Sequence, residues 1–171
     1  MLPRVTRCTR LLAAAVILLA LTACRQGSSE LRGWRAVNPG VDLSVEKDPG
    51  PEDQEVLALL YTIATGQDDV IERAMPGDGW QGIPALRLWA KTTRVLHLAV
   101  VLVDEQGQEH ESARTLNPGD WKILDFDGFD PPLEDWEQVA VIRFVDRTGG
   151  LGGQGPVSLK LSGLPLDAPA P

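Results

Sequence analysis

The stretch "LRLWAKT", residues 86–92, alternates with a period of two. Leu86, Leu88 and Ala90 therefore share one face, and Arg87, Trp89 and Lys91 the other. An outward indole between two long hydrogen-bonding side chains suits a polyhydroxyl ring. The C–H face of a pyranose lies on the indole while the flanking donors engage its hydroxyls. His97, on the outward face of the next predicted strand, and Arg143, outward in "VAVIRFVD", are expected to join the same concave surface. The competing expectation is that the opposite sheet, a loop or the N-terminal segment covers Trp89. Periodicity does not assign strands to sheets, so both stay open.

Catalytic chemistry finds little support. A nucleophilic triad needs a base, and the chain has two histidines, no G-x-S-x-G and no cysteine beyond Cys8 and Cys24. The glycine-rich "TGGLGGQG" precedes a predicted strand, so it offers no helix dipole to a phosphate. Asp125, Asp127 and Asp130 could be drawn as a glycosidase pair, but nothing singles them out among 24 acidic residues. A hairpin about Gln106-Gly107 sets His110 opposite Val103, roughly 20 Å along the strand from His97. The histidines therefore form no metal pair, and no catalytic residue or metal ligand is expected.

Behind these side chains stands a targeting segment. Arg4, Arg7 and Arg10 precede the apolar run "LLAAAVILLAL", which is shorter than the ~20 residues a membrane span needs. It ends in "LTAC", Leu21 to Cys24, which resembles the lipobox of bacterial lipoprotein precursors. That resemblance implies a signal peptide over 1–23, cleavage before Cys24 and lipid on the Cys24 sulfur and amine. Two or more acyl chains hold a protein stably on a bilayer without spanning it. Arg25 stands where an Asp would favour inner-membrane retention, so an outer-membrane address in the cell envelope is expected where the organism has one.

Processing sharpens the charge. Three of the sixteen basic residues and no acid lie in 1–23, leaving 13 basic against 24 acidic residues, net −11. So acidic a surface argues against nucleic acid and against electrostatic attraction to anionic lipid. The membrane contact falls to the lipid alone. With Cys8 removed and Cys24 acylated, no disulfide is available, and stability must come from a hydrophobic core.

Residues 24–33, the lipidated cysteine and the polar "RQGSSELRG", read as a tether, 34–166 as one domain, and 167–171 as a disordered tail. Within the domain, "VLHLAVVLVD", "QEHESARTL", "WKILDF", "VAVIRFVD" and "PVSLKLSGLPL" all suit strands separated by turn signals. Short strands at this spacing predict an all-β antiparallel sandwich or barrel. "PEDQEVLALLYTIA" fits a helix start by Pro51 and its acids, and a strand by Tyr61-Thr62-Ile63; periodicity leaves it undecided.

The blocks "DPGPEDQEVLALLYTI", "GDGWQGIPALRLWAKT", "VVLVDEQGQEH", "NPGDWKILDF", "VAVIRFVD" and "GPVSLKLSGLPL" run in order from Trp34 to Leu166. Together they resemble the galactose-binding-like jelly rolls, nearest the carbohydrate-binding-module and complex-I-intermediate-associated branch. The resemblance implies a strand over 55–63 and an edge strand from 34–45. It also implies that the Pro-Gly turn at 118–119 delivers Trp121 to the rim of the sandwich, where its loss would cost a few kcal/mol. Related jelly rolls often hold a structural calcium, for which Glu46, Asp48, Glu52 and Asp53 are at hand. With so many acids such a cluster arises by chance, so the expectation is no cofactor. Trp34 is expected to pack the first strand onto the domain, and Trp80 and Trp136 to plug loops. The function expected is a membrane-anchored, non-catalytic binding lipoprotein that recognises a carbohydrate. The alternative is a protein-interaction or scaffolding lipoprotein using the same surface against an envelope protein.

Overall fold

The structure, a computed structural model, describes residues 30–46, 50–75 and 86–164. The leader, Cys24, Asp48, Trp80 and the tail 167–171 lie outside the described residues. Among these residues there are eleven strands and two short 3-10 turns, and no α-helix. The strands are β1 (Glu30–Leu31), β2 (Trp34–Ala36), β3 (Asp42–Val45), β4 (Val56–Ile63), β5 (Asp69–Ala74) and β6 (Leu86–Thr92). They continue with β7 (Leu96–Asp104), β8 (Glu109–Leu116), β9 (Lys122–Phe126), β10 (Val139–Asp146) and β11 (Gly155–Ser162). They form two antiparallel sheets, β1-β2-β5-β10-β7-β8 and β3-β4-β11-β6-β9.

The period-two pattern explains why the sheets stack. In β11, Val157, Leu159 and Leu161 point inward and lie opposite Tyr61, Leu59 and Leu57 of β4. Leu88 and Ala90 of β6 continue that inner face, and Leu98, Val100 and Leu102 of β7 with Ile142 and Phe144 of β10 meet it from the other sheet. Each fully buried aliphatic or aromatic side chain contributes ~1.5–3 kcal/mol, so the interface between the sheets is the main source of stability. Trp34 and Phe126 are fully buried in it.

The strand expected over 55–63 is β4. The edge strand expected from 34–45 is β3, at the edge of the five-stranded sheet, and the same segment also supplies β2 to the six-stranded one. Gly40, at φ +94°, lies in the turn between them, a backbone shape that favours glycine. Two expected tether residues, Glu30 and Leu31, form β1 against Arg35 and Trp34. The strand β5 carries no clear alternation in sequence, because its inner face reads Asp69, Ile71, Arg73 rather than an apolar row.

The β7–β8 hairpin differs from expectation by one residue. His110 lies opposite Leu102, and Val103 opposite Glu109. A shift of one residue moves every side chain of β8 to the other face. It takes His110 from the solvent side to the interior, where it is 4% exposed.

Candidate functional site

The sandwich has two outer faces, and the expected site residues divide between them. Arg87, Trp89 and Lys91 lie on β6, in the five-stranded sheet. His97 on β7 and Arg143 on β10 lie in the six-stranded sheet, outward, on the far side of the core. The surface expected to unite all five does not exist. Neighbouring strands in sequence, β6 and β7, cross from one sheet to the other.

On the five-stranded face Trp89 is half-buried. It stands in a row between Ile123 of β9, 46% exposed, and Ser162 of β11. Arg87, outward and exposed, is held by Asp125 directly across on β9, at 2.5 Å from Nε. Lys91 lies opposite Lys160, whose Nζ is 2.6 Å from Glu46; among the described residues Lys91 itself has no ion-pair partner. Continuing the alternation of β9 back by one residue brings Trp121 to this same face. Trp121 is half-buried at this edge, and among the described residues it packs against neither hydrophobic core cluster, so the rim placement expected of it comes without the core contact that would make it a strong anchor.

The six-stranded face carries an ion-pair lattice. Glu72 of β5 accepts hydrogen bonds from Arg35 Nε at 2.8 Å and Arg143 Nε at 2.9 Å. Burial would raise the Glu72 carboxyl, but the two guanidinium groups outweigh it and hold the group below the usual carboxylate range. Arg143 also reaches Glu109, and Arg147 reaches Asp68 and Glu111. Beneath these side chains Ala99, Val101 and Val145 are almost fully buried although they face outward. A groove of about 250 Å³ runs between Val37, Val70, Val101, Arg143 and Arg147. Its charges are matched in pairs, and among the described residues no tryptophan lines it. His97 sits beyond it, with Nδ1 3.4 Å from the Thr115 hydroxyl.

A third feature is a cleft of about 420 Å³ at one end of the sandwich, walled by Asp104, His110, Pro131 and Glu134. His110 Nδ1 lies 2.8 Å from the Pro131 carbonyl, and Nε2 3.5 Å from Asp104. The histidine thereby ties β8 to the loop after β9. Trp136, beside this loop, meets Phe129 edge-on at 5.5 Å and acts as a plug.

Two carboxylates lie side by side on the inner face of the six-stranded sheet. Asp69 and Asp146 lie opposite each other on β5 and β10. Asp146 accepts from the Tyr61 hydroxyl at 2.9 Å and from the Thr148 amide at 2.9 Å. Asp69 Oδ2 is buried with no hydrogen-bond partner. Burial, then Asp146 and Asp68, pushes Asp69 up to about 6. Burial and Asp146 likewise raise the Tyr61 phenol. The adjoining cavity, about 10 Å³, has space for one water and not for a sugar. Of the acids considered for calcium, Glu46 is taken by Lys160, while Glu52 and Asp53 are exposed in the Pro51–Asp53 turn.

This architecture is a jelly-roll β-sandwich of the kind found in carbohydrate-binding modules. The chain is similar in structure to the family 11 carbohydrate-binding module of a cellulosomal cellulase of Clostridium thermocellum. That match has a TM-score of 0.52 at 16% identity and covers 77% of this chain and 88% of the module. A structure of the module of that family from the same organism, in complex with a β-1,3-1,4-mixed-linked tetrasaccharide, matches at TM-score 0.51 and 14% identity, over 77% and 89% of the two chains. An agarase matches at TM-score 0.55 and 10% identity over 82% of this chain, which spans 24% of the agarase. No family model matches the sequence, and no curated protein matches it. At these identities the likeness is one of fold.

Proposed function

We propose that the chain is a non-catalytic carbohydrate-recognising module, held on a cell-envelope membrane by lipid on Cys24. Its binding surface is the outer face of the five-stranded sheet. The observation that carries the reading is Trp89: half-exposed on a sheet face, with Ile123 beside it, a fixed Arg87–Asp125 pair on one flank and Lys91 on the other. The indole and Ile123 supply the apolar contact for a sugar's C–H face. The guanidinium–carboxylate pair and the lysine offer both donors and an acceptor for its hydroxyls. The fold likeness to modules of carbohydrases supports the same reading. The converging carboxylates Asp69 and Asp146 do not argue for hydrolysis, because their cavity excludes a glycosidic bond.

A protein partner is the second reading, favoured by the exposure of Ile123 and of Leu60, 54% exposed on the same face. A glycan array probed with the wild-type chain and with Trp89→Ala decides between them. The platform predicts a defined set of glycans whose signal falls at least about tenfold in the variant, equal to ~1.4 kcal/mol of contact. Absent glycan signal, or equal signal from both proteins, refutes it and transfers the surface to a protein partner.

A further inference from the structure

Next to Trp89 a strap, residues 50–54, lies over the end of β4 and β11 in the five-stranded sheet and leads into β4. The strap closes on itself through Gly50 N to the Gln54 carbonyl, 2.8 Å, and Gln54 N to the Pro51 carbonyl, 3.3 Å. It lies directly on the Ser162–Val56 pair, the continuation of the Trp89 row. A Cβ on Gly50 would stand 2.7 Å from Val56 Cγ2 and 2.8 Å from Ser162 Oγ, so only glycine allows this approach.

Two oxygens beneath and within the strap are unsatisfied. Ser162 is fully buried, and among the described residues its Oγ has no hydrogen-bond partner; Gln54 Oε1 is also buried without one there. Gln54 Oε1 comes within 3.1 Å of where a Cβ on Gly163 would be, so both groups face the same short length of β11 and its exit. One has a proton to give and the other a lone pair to fill, the complement of a hydroxyl, which accepts and donates at once. The strap is also strained. Glu52 and Asp53, neither of them glycine, hold φ of +60° and +56°. Strain of this kind persists where other contacts impose it and is common at ligand clamps.

We propose that Ser162 and Gln54 form a hydroxyl-recognising subsite of the Trp89 platform, closed in the free protein by residues 50–53 and opened when a sugar seats on Trp89, with Gln54 remaining against Gly163 as the hinge. This rests on the carbohydrate reading above and adds to it the groups that choose a sugar by the position of one hydroxyl. Lifting the strap relieves Glu52 and Asp53. The ligand hydroxyl accepts from Ser162 Oγ and donates to Gln54 Oε1, giving both atoms the partner they lack.

The test measures binding of a β-1,3-1,4-linked glucotetraose, alongside arrayed hexose tetrasaccharides of other linkage, to the full chain by calorimetry. Wild type is compared with Ser162→Ala, Gln54→Leu and Trp89→Ala. The subsite predicts that Ser162→Ala and Gln54→Leu each weaken the tightest-bound tetrasaccharide about fivefold and flatten the preference among tetrasaccharides. The melting temperature of Ser162→Ala stays at or above wild type, since its Oγ makes no bond in the closed state, while Gln54→Leu gives up only the long, exposed Nε2–Glu52 contact at 3.4 Å. If both variants bind as wild type does while Trp89→Ala does not, the subsite is wrong and the platform stands. If Ser162→Ala melts several degrees lower, its hydroxyl serves the fold and the subsite is likewise wrong. A wild-type chain that binds no tetrasaccharide removes the platform and the subsite together.

Discussion

Asp69→Asn should stabilise this protein in mild base and do nothing for it in acid. Asp69 faces Asp146 across the β5–β10 ladder, and its buried Oδ2 has no partner. Burial first, then the charges of Asp146 and Asp68, moves its pKa from 3.8 to about 6 in the folded chain. Folding therefore strengthens proton binding at this site. The favourable contribution is complete below about pH 4 and is lost as pH rises through 6. A shift of about two units corresponds to ~3 kcal/mol at most, at 1.36 kcal/mol per unit. Asp69 is only half-buried, and solvent screening reduces that to about 1–1.5 kcal/mol. The neutral amide carries no such penalty at any pH. In a domain of this size the difference is worth roughly 3–5 °C of melting temperature. Thermal melts of both proteins from pH 3 to 8 should show a gap near zero at about pH 3, half open at about pH 5, midway between the unfolded and folded values, and nearly full from about pH 6 upward. A gap that stays constant with pH, or that opens toward acid, refutes the carboxylate-repulsion argument.

Other outcomes follow from the same structure. Trp34→Ala, which empties a fully buried site against Phe144, should cost ~3–5 kcal/mol. Trp121→Ala, outside both core clusters, should cost about 1 kcal/mol or less; equal losses in chemical denaturation would contradict the placement of the two rings. Glu72→Gln weakens the link between Arg35 and Arg143. The depressed carboxyl contributes stability above its unfolded pKa that disappears as pH falls, so after screening the variant should lose about 1 kcal/mol at pH 7 and progressively less toward pH 3. Cys24→Ala should move the protein from the detergent phase to the aqueous phase in a detergent partition of cell membranes. Retention in the detergent phase would refute the lipid anchor.

The sequence displays the sandwich wherever the inner face of a strand is apolar. β6, β7, β10 and β11 are visible in it because Leu, Val, Ile and Phe recur at every second position. β5 is not, because Arg73 and Asp69 occupy inward positions and Glu72 is buried outward by its arginines. Outward orientation was equally legible: Arg87, Trp89, Lys91, His97 and Arg143 do point away from the core. What periodicity does not carry is which sheet a strand enters, and so His97 and Arg143 come to lie on the face opposite Trp89. The hairpin register is hidden from the sequence for a related reason. Four residues, Glu105 to Gln108, make the turn, and the placement of Gly107 alone does not distinguish this from a turn shifted by one. Ser162 carries no local signal at all; its place beside Trp89 arises only when the last strand inserts between β4 and β6.

Under the proposed lipid anchor at Cys24, the small strand β1 sets how far the domain can stray from the membrane. Glu30 is already fixed to the sheet edge, so with Cys24 lipidated only five residues remain between lipid and fold. Fully stretched, that leash reaches roughly 20 Å. Such an anchor would hold the domain within a couple of screening lengths of the bilayer, its own negative charge repelled by acidic headgroups. Large polymers drifting in the surrounding fluid would be poor targets at such a height. Strands lying close above the lipid, or anchored in it, are what a reader on so short a stalk can touch.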